Sequence, residues 1–195
     1  MTDELVGVAP PDRSVAPARH DERRLIAPAV WMLVVALVIQ AVLPAVALWS
    51  APPAVPDLMI VVVCAIAVKR GVLVGAIAGF AGGFLVELLS PGGSLGVIAF
   101  GAVLIGAWCG RFAESGGRMT WWMFTSIAAA AGGLVPVWFG LVDTLRGVGL
   151  PLGVLIPTIA VPHLTLAAIM APLVWWVARR LLGAPQVVEP GMMRR

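Results

Sequence analysis

The chain has 195 residues, of which 61% are hydrophobic and only 12% charged, with a formal net charge of +3. Its mean hydropathy of +1.01 excludes an ordinary soluble domain, which carries about half apolar and about a quarter charged residues. The small positive charge is not by itself evidence of a nucleic-acid partner; what matters is where the charges sit.

The first 24 residues mix Pro10, Pro11 and Pro17 with charges of both signs and few large apolar groups. Such a segment cannot bury enough surface to offset its chain entropy, so residues 1–24 are expected to be a disordered cytoplasmic tail. A membrane domain is expected over residues 25–181, with a short cytoplasmic tail at 182–195. A hydrocarbon core of about 30 Å needs about 20 helical residues. The apolar runs predict an all-α polytopic integral membrane protein with six transmembrane helices, at about 25–49, 57–69, 71–90, 95–110, 120–143 and 152–178.

The first run contains Pro44-Ala45-Val46-Ala47, similar to a signal-peptide cleavage site. The run is longer than a signal core of about 7 to 15 residues, so an uncleaved first span is expected. The second run is the shortest. Fusing it with the third would carry Lys69 and Arg70 into the membrane at about 2.5 to 3.5 kcal/mol each near its centre. Two helices joined by a tight turn at Gly71 are therefore expected, since glycine reaches backbone angles closed to other residues. With the N-terminus inside, twelve of the thirteen Lys and Arg residues fall on one side and only Arg146 on the other. That asymmetry places both termini in the cytoplasm.

The third run repeats glycine every four residues, at Gly71, Gly75, Gly79 and Gly83. A stripe of this kind lets a neighbouring backbone approach closely. The neighbour is either another span of this chain or a partner. Glu87 continues the stripe, and its carboxylate is expected to be interfacial or paired. Asp57 follows Pro52, Pro53 and Pro56 and suits the first turn of a helix, where a carboxylate is favoured by the dipole. Asp143 and Arg146 are spaced for a surface ion pair. Cys64 lies mid-segment and Cys109 near the end of its own, so the two are expected at different depths, as packing residues.

The last run carries Pro151, Pro157, Pro162 and Pro172. A bend or break near Pro157 to Pro162 is expected, because proline removes a backbone hydrogen bond. His163 follows and is expected to hydrogen-bond between helices rather than relay protons. No catalytic motif or metal-ligand spacing is present, and no enzyme activity, cofactor or metal is expected.

Pro56-Asp57-Leu58-Met59-Ile60, Lys69-Arg70-Gly71, the Gly75 to Gly83 repeat, Glu87-Leu88-Leu89-Ser90 and Gly92-Gly93-Ser94-Leu95-Gly96 together resemble the core of the rod shape-determining protein MreD family. The family more usually has aspartate where Glu87 stands. The resemblance implies a non-enzymatic subunit of the bacterial plasma membrane. Such a subunit works with an MreC-like single-span protein, an MreB-like filament, a RodA-like glycosyltransferase and a penicillin-binding transpeptidase in side-wall peptidoglycan synthesis. It makes Asp57 and Glu87 the candidate partner contacts. The family is similar in helix arrangement to the substrate-binding S-components of energy-coupling-factor transporters, so a vitamin-uptake subunit is the alternative.

Overall fold

The computed structural model describes residues 18–46, 57–89, 96–115, 119–147, 149 and 151–183. Helices account for nearly all of them: α1 (Ala18–Val46), α2 (Leu58–Arg70), α3 (Val72–Leu89), α4 (Val97–Ser115), α5 (Trp121–Leu145), α6 (Leu152–Leu155) and α7 (Val161–Leu182), the last two joined by a π-turn at Ile156–Ala160. Four helices are long and apolar enough to cross a membrane: α3, α4, α5 and the continuous stretch Gly153–Leu182. Large apolar side chains such as Trp31, Leu73, Ile77, Phe80, Trp122 and Ile169 point outward. An apolar exterior of this kind suits lipid rather than water.

The centre of the bundle is α2. Every side chain from Met59 to Val68 is at most 5% exposed, because α1, α3, α4, α5 and α7 all pack against it. Its sequence shows why: Leu-Met-Ile-Val-Val-Val-Cys-Ala-Ile-Ala-Val is apolar on every face, and a helix of that kind is stable only when surrounded. Thirteen residues give about 20 Å of helix, less than a lipid-facing span requires. The length rule applies to helices that lipid must seal, and this one is sealed by protein.

Gly71 alone separates α2 from α3. Its φ of 87° lies in the region that favours glycine, and its N–H donates to the Ala67 carbonyl at 2.8 Å. The turn therefore closes α2 and lets α3 start antiparallel to it.

Some boundaries differ from those read in the sequence. The helix α1 begins at Ala18, seven residues before the expected span. The remainder of the proposed tail, most of the C-terminal tail and Ala47 of the cleavage-like motif lie outside the described residues. The helix α4 continues five residues past 110, to Ser115. That extension changes the reading of the cysteines. Cys64 and Cys109 each stand six residues from the ends of their parallel helices, so they lie at the same depth. Their sulfurs are 3.3 Å apart, both fully buried and both free.

The last helix does not break: Gly153–Leu182 is continuous through the π-turn. At the π-turn, Val161 N–H donates to Ile156 O, one residue further than in an α-helix. Such a turn absorbs the missing donor of a proline without exposing the neighbouring backbone.

Candidate functional site

The glycine repeat lies against α4. A Cβ at Gly75 would stand 2.6 Å from the Gly106 carbonyl oxygen, one at Gly79 2.6 Å from the Ala102 carbonyl carbon, and one at Gly83 2.7 Å from the Ala99 Cα. On the opposing helix, a Cβ at Gly110 would stand 2.6 Å from Val72 Cα. The neighbour is thus another span of this chain. Positions 99, 102, 106 and 110 of α4 answer positions 83, 79 and 75 of α3 and Gly71 of the turn before it, so the two backbones touch over about three turns.

A glutamate locks each end of this pair. Glu87, near the C-terminus of α3, is 4% exposed. Its carboxylate accepts backbone N–H groups of Gly96 at 2.7 Å, Ala99 at 3.3 Å and Ile98. Those are the unpaired donors at the start of α4, where the helix dipole also favours negative charge. At the opposite end Glu114, near the C-terminus of α4, accepts Val72 N–H at 2.9 Å, at the start of α3. Each helix therefore supplies the N-terminal cap of the other. The sequence left Glu87 as interfacial or paired; it is buried, and its partners are main-chain donors.

Asp57 stands at the N-terminus of α2 without capping it through its side chain. Gln40 of α1 occupies that place: its Oε1 accepts Met59 N–H at 3.1 Å, and its Nε2 donates to Asp57 Oδ1 at 3.5 Å. Asp57 stands at the start of the helix, where the dipole favours a carboxylate. The Asp57 carboxylate, beside the Ile60 N–H of the same helix start, also lines a cavity.

That cavity, of about 450 Å³, lies among the ends of α2, α3, α4, α5 and α7. Its walls are apolar, from Val86, Ile98, Val135, Pro136, Phe139 and Leu155, and its titratable groups are Asp57, Asp143 and His163. His163 Nδ1 is 2.8 Å from the Ile159 carbonyl of its own helical path, so the expected bond between helices is replaced by one along that path. A carbonyl only accepts, so Nδ1 carries a proton and donates to it. Asp143 makes no ion pair with Arg146 among the described residues; it lines the cavity while Arg146 is exposed.

Two carboxylates and an imidazole around an apolar hollow attract hydrogen-bond donors and positive charge. Among the described residues no three His, Cys, Asp or Glu side chains are placed to hold a metal. The structure thus brings Asp57 and His163 together and keeps Glu87 apart from them, in the wall behind Val86. Sequence reading missed Asp143 as a cavity residue, the capping roles of Gln40 and Glu114, and the thiol pair. For Glu114 a signal existed, since it repeats on α4 the near-terminal position that Glu87 holds on α3. Comparisons with protein-family models, curated proteins and solved structures return no match to this chain.

Proposed function

We propose that this chain is a non-enzymatic, MreD-like subunit of the machinery that directs side-wall peptidoglycan synthesis and cell shape in bacteria. In this reading it crosses the plasma membrane six times, with both termini cytoplasmic. Its helices are arranged like those of energy-coupling-factor S-components. It binds an MreC-like single-span protein beside an MreB-like filament, a RodA-like glycosyltransferase and a penicillin-binding transpeptidase. The four long helices supply four crossings. The helix α1, at 29 residues or about 44 Å, supplies a fifth, and the protein-sheathed α2 the sixth.

One observation carries the reading. The described residues that bear the family resemblance, Asp57, Lys69 to Gly71, the glycine repeat, Glu87 and Gly96, all fall on the block α2–α3–α4, where their order in sequence becomes a single packed unit. Glu87 secures that unit, and Asp57 is the charged residue it presents to the cavity. Partner contact is therefore assigned to Asp57, with Glu87 acting behind it as a positioning residue. Asp57→Leu is expected to abolish co-purification with the MreC-like partner from mild detergent while leaving the thermal transition in place. Full recovery of the partner with Asp57→Leu would refute the assignment.

The cavity favours the second reading, a small-molecule uptake subunit. Its volume lies within the range of about 300 to 1,000 Å³ that suits small ligands, with polar groups converging on an apolar wall. Binding of a vitamin at sub-micromolar affinity, with Asp57 dispensable for cell shape, would replace the first reading by this one.

A further inference from the structure

The opposite end of the bundle holds a cluster of cations. Lys69 and Arg70 close α2, and Arg179 lies in the last turn of α7, near enough to Lys69 for their charges to interact. Lys69 is 6% exposed, with its ammonium 4.7 Å from the centre of the Trp175 ring. Arg70 Nη2 is a long 3.5 Å from the Leu182 carbonyl, and its Nε is buried without a hydrogen-bond partner. Glu114, a carboxylate at this end, is committed to Val72 N–H. Among the described residues none of the three cations forms an ion pair.

The position of these bases at helix C-termini explains their favourable interaction with the dipole. It does not explain a guanidinium N–H turned inward with nothing to accept it, since a buried donor normally finds a partner. Arginine presents a planar fork of donors that matches a phosphate. The surrounding level is also marked. Trp108, Trp121, Trp122, Trp175 and Trp176 stand within about two helical turns of this end, and Arg180 lies 4.6 Å over the Trp176 ring. Tryptophan gathers where acyl chains meet headgroups, so a tryptophan-rich level beside Arg70 suits this end to lipid phosphates.

We propose that Arg70, with Lys69 and Arg179, binds the phosphodiester headgroup of an anionic phospholipid between α2 and α7. Arg70 supplies the forked donors, and the other two residues supply charge. Basic pockets between helix ends are suited to such headgroups, and the site lies at the other end of the molecule from the cavity containing Asp57.

The test uses the full chain in mild detergent, with bound lipid counted by native mass spectrometry against graded phosphatidylglycerol, phosphatidylcholine or inorganic phosphate. Phosphatidylglycerol should be retained over phosphatidylcholine, and Arg70→Gln and Arg179→Gln should each weaken retention about fivefold. Arg111→Gln, an exposed change on α4 at the same end, should leave it unaltered. Where Arg70→Gln shifts the thermal transition, Arg179→Gln carries the test, because its side chain is exposed. Equal retention of the two lipids, or equal loss with Arg111→Gln, would overturn the site. Displacement of the lipid by millimolar inorganic phosphate would assign the cluster to a soluble anion instead and overturn the lipid proposal.

Discussion

Glu87→Gln removes one negative charge from a buried cap without changing its shape. The carboxylate accepts three main-chain N–H groups at the start of α4. An amide can keep its oxygen towards Ile98 and Ala99, but its NH₂ then faces the N–H of Gly96, donor against donor. One charge-assisted bond is lost, at about 1.5–3 kcal/mol. The favourable interaction with the dipole of α4 is lost as well, at about 0.3–1 kcal/mol. At 4% exposure water does little to compensate. The sum of about 2–4 kcal/mol corresponds to roughly a 30- to 1,000-fold fall in the folded-to-unfolded ratio. Reversible unfolding in mixed micelles, followed by tryptophan fluorescence, measures it. Unchanged stability together with loss of the MreC-like partner would refute the capping account and make Glu87 a direct contact.

Glu87→Asp keeps the charge but shortens the reach, so its loss of stability in the same assay should be smaller than that of Glu87→Gln. Gly79→Leu should destabilise by at least about 1–3 kcal/mol, since its Cβ meets the main chain of Ala102; Gly153→Ala, where a Cβ meets nothing within 4 Å, should change stability by under about 0.5 kcal/mol. Equal effects would contradict the close α3–α4 contact. Cys64 and Cys109 should resist a water-soluble maleimide in the folded protein and react fully after denaturation in SDS, read by mass shift; rapid labelling of the native chain would contradict their burial.

Much of the helical plan was legible because apolar runs, glycine spacing and the one-sided placement of Lys and Arg are local features. The turn at Gly71 could be read for the same reason: two charges and a glycine interrupt the apolar run. What escaped the sequence depends on which helices become neighbours. An all-apolar α2 carries no periodicity from which to infer five surrounding helices. The acceptor role of Glu87 involves donors nine to twelve residues further on, across a loop. Asp57, Asp143 and His163 come from three separate helix ends, so their convergence has no sequence spacing. The depth of Cys109 was not legible because the apolar run ends near residue 110, whereas the helix continues to Ser115 and carries Glu114 to the start of α3.

Replacement of the chain in its native host tests the central claim most directly. Depletion should convert rods into rounded or bulging cells, wild-type chain should restore the rods, and Asp57→Leu chain present at equal membrane abundance should not. Cells that keep their rod shape after depletion, or that Asp57→Leu rescues as fully as wild type, would contradict the account.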